Sequence, residues 1–115
     1  MPKLISQKNF SNINISGVTT TTSSQFALDS FLKSSFRSAK YQIQINQGSS
    51  YQTTEFLVVH DGSITYNTEF ATVKTAGVLS SFDSDVSGNY VRILATPTSG
   101  ATPVNFKIIR TTIDS

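Results

Sequence analysis

The sequence contains no cysteine, no tryptophan and a single histidine, His60, in 115 residues. Without cysteine, neither a disulfide framework nor a thiolate metal site can form. Charged residues make up only 14 % of the chain, against about 25 % in an average globular domain. The nine Lys and Arg residues are spread along the chain. The clustered basic stripe typical of nucleic-acid binding is therefore missing, and no nucleic-acid partner is expected.

Long apolar runs are missing as well. No stretch approaches the roughly 18 consecutive apolar residues of a membrane-spanning helix. The opening MPKLISQKNF has no apolar run of signal-peptide length. The sequence therefore predicts neither membrane insertion nor an export signal.

Hydroxyl-bearing and β-branched residues are abundant instead, with 18 Ser and 15 Thr in the chain. The segment KYQIQI alternates polar and apolar residues, which places Tyr41, Ile43 and Ile45 on one face of a strand, and VNFKII repeats the pattern. Gly and Pro residues separate seven or eight such segments at intervals of about 8–12 residues. The sequence predicts an all-β fold, a small antiparallel β-sandwich of the Greek-key or jelly-roll type.

The chain divides into two parts by composition. Residues 1–24 include the run SNINISGVTTTTSS, which is too polar to bury much surface alone, and we expect an extended N-terminal arm there. Residues 25–115 carry the predicted sandwich. Within them, QFALDSFL is ambiguous, because Leu28, Leu32 and Phe36 also have helical spacing. We interpret it as a strand, since the surrounding sequence is strongly β.

The stretch EFLVVHDGSITYNTEF, residues 55–70, contains His60 beside Asp61 and at first suggests a catalytic pair. Asp-Gly between two alternating runs instead predicts a hairpin with a two-residue type I′ turn at Asp61 and Gly62. A catalytic histidine also needs a nucleophile and an orienting group within hydrogen-bond reach. The sequence provides neither, so we predict no catalytic residues, and we place His60 on a mixed face at the solvent end of its strand.

This predicted hairpin has two faces. Its core face is expected to carry Leu57, Val59, Ile64, Tyr66 and Phe70. Its outer face then carries the remaining apolar residues, together with His60. The outer face is therefore predicted to be partly apolar and open to a partner.

A second motif, DSDVSGNYVRIL, partly matches a calcium loop through Asp83, Asp85, Ser87 and Gly88. The twelfth position should supply a bidentate Glu but is Leu94, so a hairpin turn is the better interpretation, with a weak calcium site as the alternative. No metal site and no cofactor are predicted. Seven acidic residues leave a carboxylate pair open in principle, while Asp29 and Arg37 are expected to form an ion pair.

Two kinds of binding surface are predicted. Apolar residues without a core role are expected to mediate association by strand addition or arm exchange: Ile13, Ile15 and Val18 on the arm, with Phe56 and Val58 on the hairpin. Exposed aromatic side chains beside loops are candidates for glycan stacking, with an amide for hydrogen bonding: Tyr51, Tyr90 and Asn89.

Residues 36–114 contain the motifs FRSAKYQIQI, EFLVVHDG, TEF, FDSDVSGNYVRILATP and IIRTTI in this order. This region resembles a β-sandwich module of virion structural proteins from marine tailed phages, especially those of cyanobacteria. The preceding NISGVTTTTSS is similar to the stretches that lead into such modules in fibre-like proteins.

The resemblance implies a non-enzymatic virion structural protein that is assembled in the host cytoplasm. Because the chain is short and has no shaft, we expect an accessory capsid decoration protein that docks through its arm and an apolar sheet face. The alternative is a tail or tail-fibre component that binds a host-surface glycan. The partners implied are other virion proteins, such as the major capsid protein or tail proteins, and further copies of the chain in a homo-oligomer.

Overall fold

Eight β-strands form two antiparallel sheets in the computed structural model, which describes residues 11–114. The large sheet has the order β1-β8-β3-β4-β5 and the small sheet the order β2-β7-β6. The strands are β1 Ser11–Thr20, β2 Phe26–Leu32, β3 Phe36–Gln47, β4 Ser50–His60, β5 Thr65–Lys74, β6 Ser80–Ser87, β7 Tyr90–Pro97 and β8 Val104–Asp114. The predicted all-β sandwich is confirmed, and no helix that could span a membrane occurs between residues 11 and 114.

The core lies between the two sheets and follows the alternation of the strands. In β3, each apolar residue of the KYQIQI pattern is fully buried, while the glutamines between them are exposed. Phe106 on β8 meets Phe26 and Phe82 of the small sheet edge-on, with ring centroids 5.8 and 6.4 Å away. The main buried apolar residues are Leu28, Phe31, Tyr41, Ile43, Ile45, Phe56, Val58, Val91, Ile93, Ala95, Val104, Phe106 and Ile108.

The ambiguous segment QFALDSFL is a strand, as predicted, and pairs with β7. Two tight turns with glycine at positive φ join neighbouring strands. Gly48 (φ 60°) and Ser49 connect β3 to β4, and Gly88 (φ 59°) and Asn89 connect β6 to β7. These two turns lie at opposite ends of the sandwich. Lys33, which is beside Asn89, donates a hydrogen bond to the carbonyl of Gly62, so the Gly88 turn is at the same end as the loop that contains Gly62. We call the two ends the Gly48 end and the Gly62 end.

The β4–β5 hairpin differs from its prediction in two ways. His60 pairs with Thr65, so the loop holds four residues, 61–64, and the predicted two-residue turn is wrong. The Asp61 carboxylate accepts hydrogen bonds from the N–H groups of Ser63 and Ile64, which lower its pKa and close the longer loop. The expected core face is also wrong, since the Leu57 and Val59 side is exposed.

The opposite side of β4 forms the core because β3 directs it there. Tyr41 pairs with Phe56 across the ladder, and paired residues share a face. Phe56 and Val58 are therefore fully buried, and their predicted position on the outer face of the hairpin is wrong.

Part of the predicted arm belongs to the large sheet. Ser11–Thr20 pairs along its whole length with β8 and forms one edge of the sheet. Residues 1–10 lie outside the described range. The domain boundary at residue 24 remains a prediction.

Candidate functional site on the outer face of the large sheet

The outer face of the large sheet, which points away from the small sheet, carries many apolar side chains. β4 is apolar on both sides, with Phe56 and Val58 in the core and Leu57 and Val59 outside. β8 is similar, because Ile109 and Ile113 point outward from a strand whose other side is buried. Continuous apolar runs of this kind are typical of strands that are covered on both faces.

β1 has apolar residues on both sides, because Val18, paired with Phe106, packs against the core while two isoleucines face away from it. Ile13 and Ile15 lie on the outer face and are 66 % and 77 % exposed. Asn14 and Ser16 are on the side of the small sheet and are exposed too, so this part of β1 is not covered by the three-stranded sheet. An edge strand that only served the core of this domain would show the opposite alternation.

These side chains form two patches. The isoleucine patch consists of Ile13, Ile15, Ile109 and Ile113, in which Ile15 is paired directly with Ile109. The hairpin patch consists of Leu57, Val59 and Tyr66 and borders a groove of about 410 Å³.

Ser38 connects the two patches. It pairs with Ile113 on one side and with Val59 on the other, so a small side chain separates the apolar ones. The result is an apolar band across the five strands of the sheet, toward the Gly62 end of the outer face. Exposed apolar side chains grouped on one sheet face in this way indicate an interaction site.

Charge is sparse on this face. Among the paired outer positions of the large-sheet strands between residues 11 and 114, three carry charged side chains, on Lys40, Glu55 and Lys107, and the exposed Arg37 lies in the irregular step next to Ser38. Lys40 Nζ and Glu55 Oε1 form an ion pair of 3.0 Å in the middle of the face. Few charged side chains would therefore lose their hydration when this face contacts another apolar surface.

The outer side of the small sheet differs from the outer face of the large sheet, and the two can be compared within one molecule. Its centre holds the bidentate pair of Arg92 with Asp85, in which Arg92 Nε lies 2.8 Å from Asp85 Oδ1. Arg92 lowers the pKa of the Asp85 carboxyl. Ser30 and Ser81 lie on neighbouring outer positions. The centre of this outer side is thus polar, as expected for a solvated sheet, although Leu32 and Tyr90 are exposed at its Gly62 end.

The predicted glycan residues do not form one site. Tyr90 and Asn89 lie at the Gly62 end, whereas Tyr51 lies at the Gly48 end on the outer face, roughly 30 Å away along an 11-residue strand. Tyr51 borders a groove of about 270 Å³ whose other residues include Gln44, Thr53 and Val73.

His60 is a buried structural residue, and its predicted position at the solvent end of an outer face is wrong. The Gly62 N–H donates to His60 Nδ1 at 3.0 Å, so the ring proton lies on Nε2, which donates to the Phe36 carbonyl at 2.7 Å. Both ring nitrogens are occupied by backbone groups. His60 therefore holds the four-residue loop and the start of β3 together.

A polar network crosses the core close to the Gly62 end. The Tyr41 hydroxyl donates to Asp29 Oδ2 at 2.7 Å, and Arg110 Nη1 donates to the same oxygen at 3.0 Å. Burial, together with the charge of Asp29, raises the pKa of the Tyr41 hydroxyl far above its usual value, so it remains a donor. The expected ion pair of Asp29 with Arg37 is wrong, because Arg37 instead donates to the carbonyl of His60.

The acidic groups are dispersed. Within the described residues, no three His, Asp or Glu side chains come together in a group that could hold a metal ion. The candidate calcium motif is a hairpin, since Ser87 pairs with Tyr90 across Gly88 and Asn89. Asp85 is engaged by Arg92, and Asp83 accepts from the N–H of Ser84 and from Asn67.

Reasoning from sequence named Ile13 and Ile15 among the apolar outer residues but missed Leu57 and Val59, although one signal identifies these two. A two-residue turn at Gly48 and Ser49 pairs Ile45 with Gln52 and Tyr41 with Phe56. The clear alternation of β3 then determines the inner face of β4. This leaves Leu57 and Val59 outside.

Comparison with known proteins gives structural neighbours only. No protein-family model and no curated protein matches the sequence. The tailspike protein of Acinetobacter baumannii phage AM24 matches 99 % of this chain with a TM-score of 0.56 and 12 % identity. The tailspike of Acinetobacter phage vB_ApiP_P1 matches 99 % of this chain with a TM-score of 0.46 and 16 % identity. The tailspike of A. baumannii bacteriophage Fri1 matches 90 % of this chain with a TM-score of 0.38 and 18 % identity.

The chain shares its fold with one part of a phage tailspike. It spans 28 %, 24 % and 18 % of the AM24, vB_ApiP_P1 and Fri1 tailspikes. A relation to marine or cyanobacterial phages finds no support among these neighbours, and neither does capsid decoration. The prediction that the protein is not an enzyme is contradicted by the match to the AM24 tailspike, since tailspikes include one, that of Fri1, whose description is capsular polysaccharide depolymerase.

Proposed function

We propose that this chain is a virion protein of the phage tail, a β-sandwich unit of the tailspike type. The observation that carries the proposal is the match of almost the whole chain to one part of the AM24 tailspike. The apolar outer face of the large sheet supports it, since a unit built into a larger assembly needs such a docking surface. Its partners are then other tail proteins, and its location is the assembled particle. The proposal replaces capsid decoration.

The location can be tested on purified particles of the phage that encodes the chain. Antibodies raised against the recombinant chain and carrying gold are expected to label the tail in electron micrographs. Label on the capsid would favour the decoration role and contradict the proposal. Particles that carry no label, and no peptide of the chain by mass spectrometry, would exclude any virion role.

A second candidate function, glycan binding, is favoured by the groove at Tyr51. The Tyr51 ring is half exposed, and Gln44 and Thr53 beside it supply an amide and a hydroxyl. An aromatic face with adjacent hydrogen-bonding groups suits a sugar ring. The groove lies at the Gly48 end, away from the apolar band.

Tyr51→Ala is expected to weaken binding of surface polysaccharide from the host bacterium about tenfold, as loss of a stacked aromatic ring does. Tyr90→Ala is the matched control, because Tyr90 is 48 % exposed against 50 % for Tyr51 and lies at the opposite end. Calorimetry on both variants measures the difference. Equal affinity of the two variants, or no binding by the unmodified chain, would remove this candidate.

A further inference from the structure

We infer that Asp61–Gly62 is a site of spontaneous aspartate isomerisation, which the folded loop 61–64 keeps unreactive through His60. This inference does not depend on the tail assignment. Asp61 and Gly62 form the only Asp-Gly pair in the sequence, and the sequence has no Asn-Gly pair. Glycine after aspartate favours the rearrangement, because without a Cβ its peptide nitrogen is open to close approach. Asp61 is also exposed, so no packing prevents the reaction.

The rearrangement proceeds through a cyclic imide. The Gly62 peptide nitrogen attacks the carboxyl carbon of Asp61, a C–N bond forms, and the hydroxyl of the protonated carboxyl leaves as water with the proton of the nitrogen. Water then adds to the imide. Opening at the main-chain carbonyl of Asp61 leaves Gly62 attached through the side chain, which lengthens the backbone by one carbon. No oxidant or cofactor is needed, and the mass of the chain is unchanged.

His60 holds the attacking nitrogen in the folded loop. The Gly62 N–H donates to His60 Nδ1 at 3.0 Å, and the His60 ring is buried, so this N–H points toward the core. Lys33 Nζ donates to the Gly62 carbonyl at 3.0 Å and fixes the following peptide group. Attack on the exposed Asp61 carboxyl requires rotation of the Asp61–Gly62 peptide group, and that rotation breaks the contact with His60.

The Asp61 carboxylate is held on the solvent side of the loop. Its Oδ1 accepts hydrogen bonds from the N–H groups of Ile64 at 2.8 Å and Ser63 at 2.9 Å. These two bonds lower the pKa of the Asp61 carboxyl, so it is ionised at neutral pH. An ionised carboxylate is a poor electrophile and has no hydroxyl to release as water. Neither reacting group is therefore available in the folded loop.

The loop must open before the rearrangement can occur. The rate is then the rate of an unrestrained peptide multiplied by the fraction of molecules whose loop is open. The product makes the opening permanent, because the extra backbone carbon lies inside the loop that closes the pair of His60 with Thr65. A reversible fluctuation at the Gly62 end thus becomes a lasting change in the hairpin.

The test is incubation of the full 115-residue chain in water enriched in heavy oxygen, since hydrolysis of the imide incorporates one heavy oxygen at residue 61. Mass spectrometry of the proteolytic fragment that contains Asp61 measures the rate, and electron-transfer fragmentation identifies isoaspartate. We expect the folded chain to react at least about tenfold more slowly than a synthetic peptide of residues 55–70, because reacting atoms held out of position lose a factor of this order.

His60→Leu removes the acceptor of the Gly62 N–H and should recover most of that difference. His60→Asn is the conservative variant, because its side-chain oxygen offers an acceptor close to the position of Nδ1, and it should stay slow. Circular dichroism melting checks that both remain folded. In case His60→Leu does not fold, Lys33→Met removes the tether on the Gly62 carbonyl, with Lys107→Met at the Gly48 end as its control.

A faster reaction of His60→Leu with a slow reaction of His60→Asn supports the inference, as does a faster reaction of Lys33→Met than of Lys107→Met. A folded chain that reacts as fast as the peptide overturns it. So do equal rates for the unmodified chain and a folded His60→Leu, fast reaction of both His60 variants, or equal rates for the two lysine variants. A slower reaction of His60→Leu overturns it too, because His60 would then act as a base that promotes the attack.

Discussion

Arg110→Met is expected to lower the free energy of unfolding by about 3 kcal/mol. The Arg110 guanidinium donates to Asp29 Oδ2 and to the carbonyl of Ser30, and the Arg110 and Asp29 side chains are only 12 % and 19 % exposed. Methionine retains the apolar stem of the side chain but leaves the Asp29 carboxylate with the Tyr41 hydroxyl as its side-chain donor. A largely buried carboxylate without its cation is the cause of the loss. Urea unfolding measures it.

The exposed Arg92–Asp85 pair is the matched control. It has the same residue types in a bidentate geometry, with side chains 37 % and 38 % exposed. Arg92→Met should cost less than about 1 kcal/mol, because solvent screens exposed ion pairs. The double variant Asp29→Asn with Arg110→Met should recover part of the loss, since it removes the buried charge as well. Equal effects of Arg110→Met and Arg92→Met would contradict the assignment of Arg110 to the core.

Gly100→Ala is expected to destabilise the domain by about 3 kcal/mol, at the upper end of overpacking effects. A Cβ on Gly100 would overlap the backbone carbonyl oxygen of Thr21 and lie 2.8 Å from its carbonyl carbon. Both partners are backbone, so no flexible side chain can move aside. For a domain of this size the loss corresponds to a decrease of roughly 10–20 °C in Tm, measured by differential scanning calorimetry.

Gly77→Ala serves as the matched control for that substitution. Its added Cβ would meet no atom within 4 Å, and its backbone is outside the left-handed region. Its Tm should stay the same or rise slightly, since alanine restricts the unfolded chain. If Gly100→Ala and Gly77→Ala have the same Tm, the connection between β1 and β2 does not pack against the loop at Gly100.

The parts of the fold that follow from sequence are those in which only one face of a strand is apolar. β3 is the clearest case, because Tyr41, Ile43 and Ile45 alternate with glutamine and no other assignment buries them. β4 is different, since both of its faces are apolar and alternation cannot decide between them. The neighbouring strand decides, through the register that the Gly48 turn imposes.

The contacts of the β4–β5 loop and of the core polar network could not be predicted from the sequence for a related reason. Asp61 and Gly62 fit a two-residue turn, but the Asp61 carboxylate also binds the N–H of Ile64, which favours the longer loop. The role of His60 depends on the Phe36 carbonyl, 24 positions earlier in the chain, and no local pattern indicates that contact. Similarly, the partner of Asp29 is Arg110, not the nearer Arg37, because the sandwich places β2 across from β8.

The strand order has a consequence for biosynthesis. β8, which leaves the ribosome after the other seven described strands, lies between β1 and β3 inside the large sheet. Until β8 emerges, β1 has no neighbour in the sheet, and β3 presents an open edge beside half of the core. Folding therefore waits for translation to pass residue 114, and the long sequence separation of these pairings makes it slow. During that interval, on a polysome, the β1 segment of one nascent chain is exposed to the completed β8 of another.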